Sequence, residues 1–259
     1  MKQIIGFFGG DSQTGTTMIA WSFAERLSEK GEKVLFIMGS GNDDHAILKY
    51  EGGHSMDELK PALRSGNVEK EDFLQCLEKK KQLWILPGVK NSLAAEQYLE
   101  NTFDILLEHV QGEFDYVIID GGSDVRQGLM ISALHACTCR YFVVTQQAKG
   151  LYRFLRCRER LLMPLGLNGS LILNKYRKDP ALFLKKDICK MTAQEEILTI
   201  PYVAEGWQVE MEKKNLLFSA AFSREIDRLT SCFVKGKERR GNGKNISFRK
   251  LFAKPDDAS

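Results

Sequence analysis

The sequence predicts an α/β fold in three layers, a mostly parallel, twisted sheet with helices on both faces. Two observations carry this reading. Short, continuous apolar runs recur along the chain and read as strands buried on both faces, and between them lie stretches with the apolar period of an amphipathic helix. Parallel neighbours need crossover connections, so strands alternating with helices imply a sheet covered on each side. A third observation is size: 259 residues with 43% hydrophobic content suffice for one substantial core.

The elements follow in order. Ile4 to Phe8 is a buried strand, and Ala20, Phe23, Ala24 and Leu27 mark the next helix, which Gly31 ends. Val34 to Met38 and Leu83 to Leu86 are strands, and a helix is expected around Leu99, Phe103, Leu106 and Val110. Then come a strand Tyr116 to Asp120, a helix from about Val125 to His135, a strand Tyr141 to Thr145 and a helix Leu151 to Leu162. A strand Ser170 to Asn174, a basic helical stretch near Leu182 to Lys190, a strand Ile197 to Ile200 and a helix through Phe222, Ile226, Leu229 and Phe233 complete the series. From about Lys235 the composition changes to KGKERRGNGKN without apolar period, so a globular domain is expected over 1–235 and a basic flexible tail over 236–259.

Charge and cysteine content exclude several classes of function. A net charge of +3 falls short of the basic footprint of a dedicated nucleic-acid binder. Six cysteines lie scattered without CxxC pairs, and no signal-peptide pattern opens the sequence, so a reduced, cytoplasmic protein is expected. Cys137 and Cys139 lack the further ligands of a zinc site and read as small buried hydrophobes. No apolar run approaches the roughly 20 residues that span a bilayer.

The segment GGDSQTGTT, Gly9 to Thr17, lies between the first strand and its helix, where a phosphate-binding loop presents backbone N–H groups and the helix dipole to an anion. The pattern GxxxxGK[ST] falls with its glycines at Gly10 and Gly15, its hydroxyl at Thr17, and Thr16 in the lysine position. That lysine neutralises the β- and γ-phosphates, which a threonine cannot do. Asp11 adds a carboxylate that would repel phosphate. An ordinary strand-to-helix turn is the competing reading. At the end of its strand, Asp120 suits a carboxylate that positions Mg²⁺ or water; before Gly121, Gly122 and Ser123 it equally suits a turn cap.

These residues resemble the ParA/MinD family of deviant-Walker ATPases over most of 1–235, which implies a three-layer P-loop NTPase-like fold. The family loop KGGxGKTT places its signature lysine at Asp11, the next two glycines at Ser12 and Gln13, and the P-loop lysine at Thr16, so both lysines are replaced. VLFIMGSGNDD resembles the family's second strand and switch, VLLIDLDPQGN, with Met38 and Ser40 in place of aspartates and Asn42, Asp43 and Asp44 close by. DYVIIDGGS resembles DYIIIDTPP and keeps Asp120. LILNKY resembles the strand ending in an adenine-recognising asparagine, giving Asn174, and ILTIPYV the segment near the base, giving Pro201 and Tyr202. No cysteine follows Asp120 as the nitrogenase iron-protein branch requires. Loss of the P-loop lysine, together with LWILPGV, resembles the TadZ/CpaE branch.

The resemblance implies a spatial organiser of the TadZ/CpaE type that positions pilus or secretion machinery, binds ATP or ADP with Mg²⁺, and hydrolyses ATP weakly or not at all. Asp11, Ser12, Gln13 and Thr14, with Gly10, Gly15, Thr16 and Thr17, would surround phosphate; Thr17 and Asp120 would manage Mg²⁺; Asn174, Pro201 and Tyr202 would hold the base. The expected partners are a second copy of the chain and other proteins of a pilus, secretion or partition system. The alternatives are an active ParA-type ATPase for partition or division-site placement, and a nucleotide-free scaffold. Lys149, Arg153, Arg156, Arg158 and Arg160, with Arg140 nearby, would offer nonspecific DNA a basic surface, although interleaved Leu151, Phe154, Leu155 and Leu162 favour the solvated side of an amphipathic helix. In the tail, Phe248, Leu251 and Phe252 cluster on one side of a helical wheel with Arg249, Lys250 and Lys254 elsewhere. That pattern resembles the carboxy-terminal membrane-targeting helix of the MinD branch and would place the protein at the inner face of an anionic membrane.

Overall fold

The computed structural model describes residues 3–42, 54–108, 110, 112–206, 212 and 215–234. In chain order the elements are β1 (Gln3–Gly9), α1 (Thr16–Glu29), β2 (Val34–Met38), α2 (Met56–Ser65), α3 (Lys70–Gln75), β3 (Glu78–Lys80) and β4 (Leu83–Leu86). They continue with α4 (Thr102–Glu108), β5 (Tyr116–Asp120), α5 (Gly128–Ala136), β6 (Cys139–Val144), α6 (Ala148–Cys157), β7 (Ser170–Tyr176), α7 (Lys185–Thr192), β8 (Leu198–Pro201) and α8 (Ala220–Ser231). Short 3₁₀ turns lie at Ser92–Gln97 and Leu216–Phe218, and a π turn at Arg158–Leu162 extends α6.

The strands form one sheet in the order β3-β4-β2-β5-β1-β6-β7-β8. Every pairing is parallel except β3 with β4. Successive side chains on a strand point to opposite faces, so each central strand feeds two cores. Ile5 and Phe7 of β1, Val34 and Phe36 of β2 and Ile118 of β5 pack with Ile19, Phe23 and Leu27 of α1 and with Phe222, Ile226 and Leu229 of α8. Their neighbours Ile4, Phe8, Leu35, Ile37, Val117 and Ile119 pack on the other face, under α2, α4, α5 and α6. Three layers follow directly from continuous apolar strands.

The structure departs from the sequence reading in a few elements. Between β2 and β4, where no element was expected, Ser55 and Glu58 close a capping box that starts α2. β3 is a three-residue charged antiparallel edge strand, the composition that blunts an exposed edge and hides the strand from a search for apolar runs. Leu99 lies ahead of α4 and is half exposed, and α5 begins at Gly128 rather than Val125, because Val125 belongs to a turn held by Asp124. The helix expected over Leu151 to Leu162 is α6 followed by the π turn, closed by Met163 N–H donating to the Arg158 carbonyl at 2.9 Å. Asp43, Asp44 and the tail residues Phe248, Arg249, Lys250, Leu251 and Phe252 lie outside the described residues.

Phe7 is the centre of an aromatic cluster, with ring centroids 5.3 Å from both Phe23 and Tyr141. It is fully buried on a central strand, where the surroundings cannot collapse into a void. Phe7→Ala is expected to cost about 3–5 kcal/mol in equilibrium urea unfolding.

Candidate functional site

β1 sits between β5 and β6; the chain runs from β1 to β2 on one side and later crosses from β5 to β6 on the other, so the strand order reverses at β1 and the carboxyl ends there frame a crevice. Gly9 N–H donates to the Gly122 carbonyl at 2.6 Å and Gly10 N–H to the Val143 carbonyl at 2.8 Å, so β1 stays paired on both sides to its last residue. The chain then turns out of the sheet. Thr14 Oγ1 donates to the Asp11 carbonyl at 3.2 Å, and a second hydroxyl bond of 2.9 Å joins it to Thr16 Oγ1. A hydroxyl has one proton, so Thr16 is the donor in that second bond.

The turn closes on Gly15 at φ +83°, the N-cap of α1, and no side chain caps the helix start. The first-turn N–H groups therefore lie at the cleft with the positive end of the helix dipole, the arrangement that attracts an anion. Asn174, buried at the end of β7, donates from Nδ2 to the Thr14 carbonyl at 2.8 Å. A Cβ on Gly15 would stand 2.5 Å from that same nitrogen. Only glycine both adopts the left-handed conformation at ease and leaves room for the brace.

The loop borders a cleft of about 420 Å³. Asp11, Ser12, Gln13, Thr14, Gly15, Thr16 and Thr17 all line it, as do Asn174, Pro201 and Tyr202. Two expected residues do not. Gly10 spends its N–H on Val143, and a Cβ there would meet Val144 at 2.8 Å and Phe154 at 3.1 Å, so this glycine serves packing. Asp120 is 1% exposed, and its Oδ1 accepts Gly122 N–H at 3.3 Å; Gly122 and Ser123, just beyond it, reach the cleft instead. Of the residues standing for the switch aspartates, Met38 is core, whereas Ser40 lines the cleft.

The Asp11 carboxylate faces α6 and pairs with Arg153, whose Nη1 lies 3.1 and 3.2 Å from its two oxygens. Much of the repulsion expected of Asp11 is thereby offset within the chain. Arg153, Arg156 and Arg160 are exposed on α6 and its extension, while Leu151, Phe154 and Leu162 are buried, as an amphipathic helix requires. Arg140 does not join that surface: it is half-buried, and its Nε donates to the Leu134 carbonyl at 2.6 Å.

The other end of the cleft is apolar, lined by Pro201, Val203, Leu216 and Phe222, with Tyr202 beside them. The Arg177 guanidinium lies 3.6 Å from the centre of the Tyr202 ring, a cation–π contact that fixes this wall. Buried Gln146 holds the chain after β7, accepting Arg177 N–H at 2.7 Å and donating to the carbonyls of Arg177 and Phe183 at 3.0 and 2.8 Å. Sequence reading did not place Gln146, Lys175, Val203, Leu216 or Phe222 at the site. Lys175 stands beside Asn174 in a motif read for its asparagine, and the apolar three look like ordinary core.

The cleft thus joins an anion-seeking end to an apolar one. Asn174 sits at the loop with its amide nitrogen engaged on the Thr14 carbonyl. Among the described residues, no three His, Cys, Asp or Glu side chains gather as metal ligands. Burial pushes the Cys137 thiol well up and that of Cys139 to about 11, consistent with packing roles.

No protein-family model matches the sequence, and no curated protein matches it. Solved structures do. A septum site-determining MinD from Pyrococcus horikoshii OT3, complexed with Mg-ADP, is 19% identical with a TM-score of 0.73, over 91% of this chain and 97% of that one. A ParA family ATPase from Chlorobium tepidum TLS is 17% identical with a TM-score of 0.74, over 89% and 98%. The chain has the P-loop NTPase-like fold of the MinD and ParA ATPases. A MinC:MinD complex from Aquifex aeolicus matches equally, at 19% identity and a TM-score of 0.72 over 92% and 100%. The MinD/ParA-like sheet is what sets the loop, Asn174 and Pro201 around one cleft. Among the described residues, no helix is long and apolar enough to cross a membrane.

Gly15 and Gly31 offer a paired test, because both have φ near +85° but Gly31 has nothing within 4 Å of the position a Cβ would take. Gly31→Ala is expected to cost about 1 kcal/mol from backbone conformation alone. Gly15→Ala should cost measurably more by urea unfolding, because it also displaces the Asn174 brace.

Proposed function

We propose that the protein is a nucleotide-binding spatial organiser of the ParA/MinD type, nearest the TadZ/CpaE branch, in which ATP or ADP binding rather than turnover is the working event. The observation that carries this reading is the uncapped start of α1, held open by Gly15 and Asn174 at the mouth of a cleft whose far end is apolar. Phosphate would lie against the first turn of α1, with Thr17 toward Mg²⁺ and the base between Asn174 and the Pro201–Tyr202 wall. Structural neighbours in complex with Mg-ADP and with MinC support a nucleotide ligand and a protein partner. Thr16 in the lysine position and Met38 in the core, where the family pattern has charged residues that speed phosphoryl transfer, support binding over turnover.

Calorimetry with ATP and Mg²⁺ is expected to show saturable binding, with turnover near background in the presence of DNA. No heat at millimolar nucleotide would leave the scaffold reading in its place. Stimulated hydrolysis lost in Asp120→Ala would establish an active ATPase instead.

A second copy of the chain is the proposed partner across the cleft, and the basic tail is the proposed anchor to anionic lipid. A dimer would join two weak tails into one stronger attachment. Deleting residues 245–259 is expected to abolish sedimentation with phosphatidylserine vesicles while the urea midpoint stays unchanged; undiminished sedimentation would exclude the anchor.

A further inference from the structure

The loop lacks a lysine in its own sequence, yet a lysine reaches it from elsewhere. Lys175 follows Asn174 at the end of β7, and at φ +54° its backbone is in the left-handed region that non-glycine residues seldom enter. From there its side chain runs back over the loop. Its Cε stands 3.8 Å from the position a Cβ on Gly15 would take, and Nζ donates to the Gln13 carbonyl at 2.9 Å. Gln13 is itself left-handed, at φ +57°, so both partners of this contact hold an uncommon backbone conformation.

Among the described residues that line the cleft, the charged side chains are Asp11 and Lys175. Asp11 is paired with Arg153, and Lys175 is the one basic side chain of the described lining. We propose that Lys175 is the phosphate-neutralising cation of this site, supplied from β7 in place of the missing loop lysine. This inference rests on the nucleotide reading above and adds to it the group that makes a polyphosphate bind better than a nucleoside.

The electrostatics support the assignment. An ammonium bound to the loop carbonyl adds a full positive charge to the partial charge at the start of α1. Its attraction for a phosphate acts over several ångströms, whichever groups Nζ donates to, and is strengthened where water is partly excluded. The position also suits binding more than chemistry. Anchored on Gln13, the charge lies over the loop rather than at the helix residue from which a P-loop lysine follows the γ-phosphate. Lys175 would therefore favour ADP and ATP in the ground state without accelerating transfer.

Lys175 is exposed, so its substitution should leave the fold intact, which a matching urea midpoint would verify. The test is calorimetry of the full chain with adenosine, ADP and Mg-ATP for wild type, Lys175→Met, Lys175→Arg and Arg153→Met. Lys175→Met is expected to weaken ADP and Mg-ATP by on the order of tenfold to a hundredfold and to leave adenosine unchanged. Lys175→Arg should retain most of the affinity, and the methionine variant should show a shallower loss of affinity with added salt. Unchanged ADP and Mg-ATP affinity in Lys175→Met overturns the assignment, as does an equal loss for adenosine, which would mark a structural role. A loss confined to Arg153→Met would assign the charge to α6. Failure of the wild type to bind any nucleotide would instead remove the reading on which the inference stands.

Discussion

The hydrogen bond from Asn174 Nδ2 to the Thr14 carbonyl is the constraint around which the site is organised. It crosses from β7 to the loop after β1, two elements separated in the sheet by β6, and so ties the turn to the rigid sheet. Both groups are buried, and a buried carbonyl without a partner carries a desolvation cost of about 1–3 kcal/mol. The brace therefore selects one loop conformation strongly. Gly15 is a consequence of it: the nitrogen occupies the space of a Cβ, and the resulting left-handed turn starts α1 with its N–H groups uncapped.

The same brace determines where charge can come from. A loop pulled against β7 presents its carbonyls of Gln13 and Thr14 to the adjacent strand end, and Lys175, next along β7, meets the first of them. Asp11, on the opposite shoulder, is drawn to α6 by Arg153. The ion pair is more than half exposed on the arginine side and contributes little to stability. Its effect is local, because it sets a cation against the carboxylate of the described cleft lining. A loop without its own lysines thus ends with an acid neutralised on one side and a base on the other.

Much of this was legible in the sequence. Continuous apolar strands such as Val34–Met38 and Tyr116–Asp120 can only be central and parallel, and that requirement alone implies helices on both faces. Most of the loop and the Asn174 and Pro201 segments stand out because strand ends have fixed places in such a sheet. What stayed hidden depends on contacts between distant residues. The Asp11–Arg153 pair spans 142 positions and the Lys175–Gln13 contact 162, and neither leaves a local pattern. Asp120 is the opposite case: a carboxylate at a strand end stands out in the sequence, whereas its burial and its bond to Gly122 N–H show only in the structure. β3 carries no apolar signal because an edge strand needs none.

On the nucleotide reading, these features shift the work of the site from reaction to equilibrium. A ligand that binds only the folded or assembled state stabilises it by RT ln(1 + [L]/Kd), about 2.7 kcal/mol at a hundredfold excess over Kd. Such a gain needs anion recognition, which the start of α1 and Lys175 provide, but not a charge that follows the transferring phosphoryl group. If turnover is as slow as proposed, release would come mainly from exchange, dilution or competition by a partner. The departures at Asp11, Thr16, Met38 and Ser40 then fit one pattern: on this reading the charge lost at Thr16 is resupplied for binding by Lys175, while the brace and the uncapped helix present the anion site.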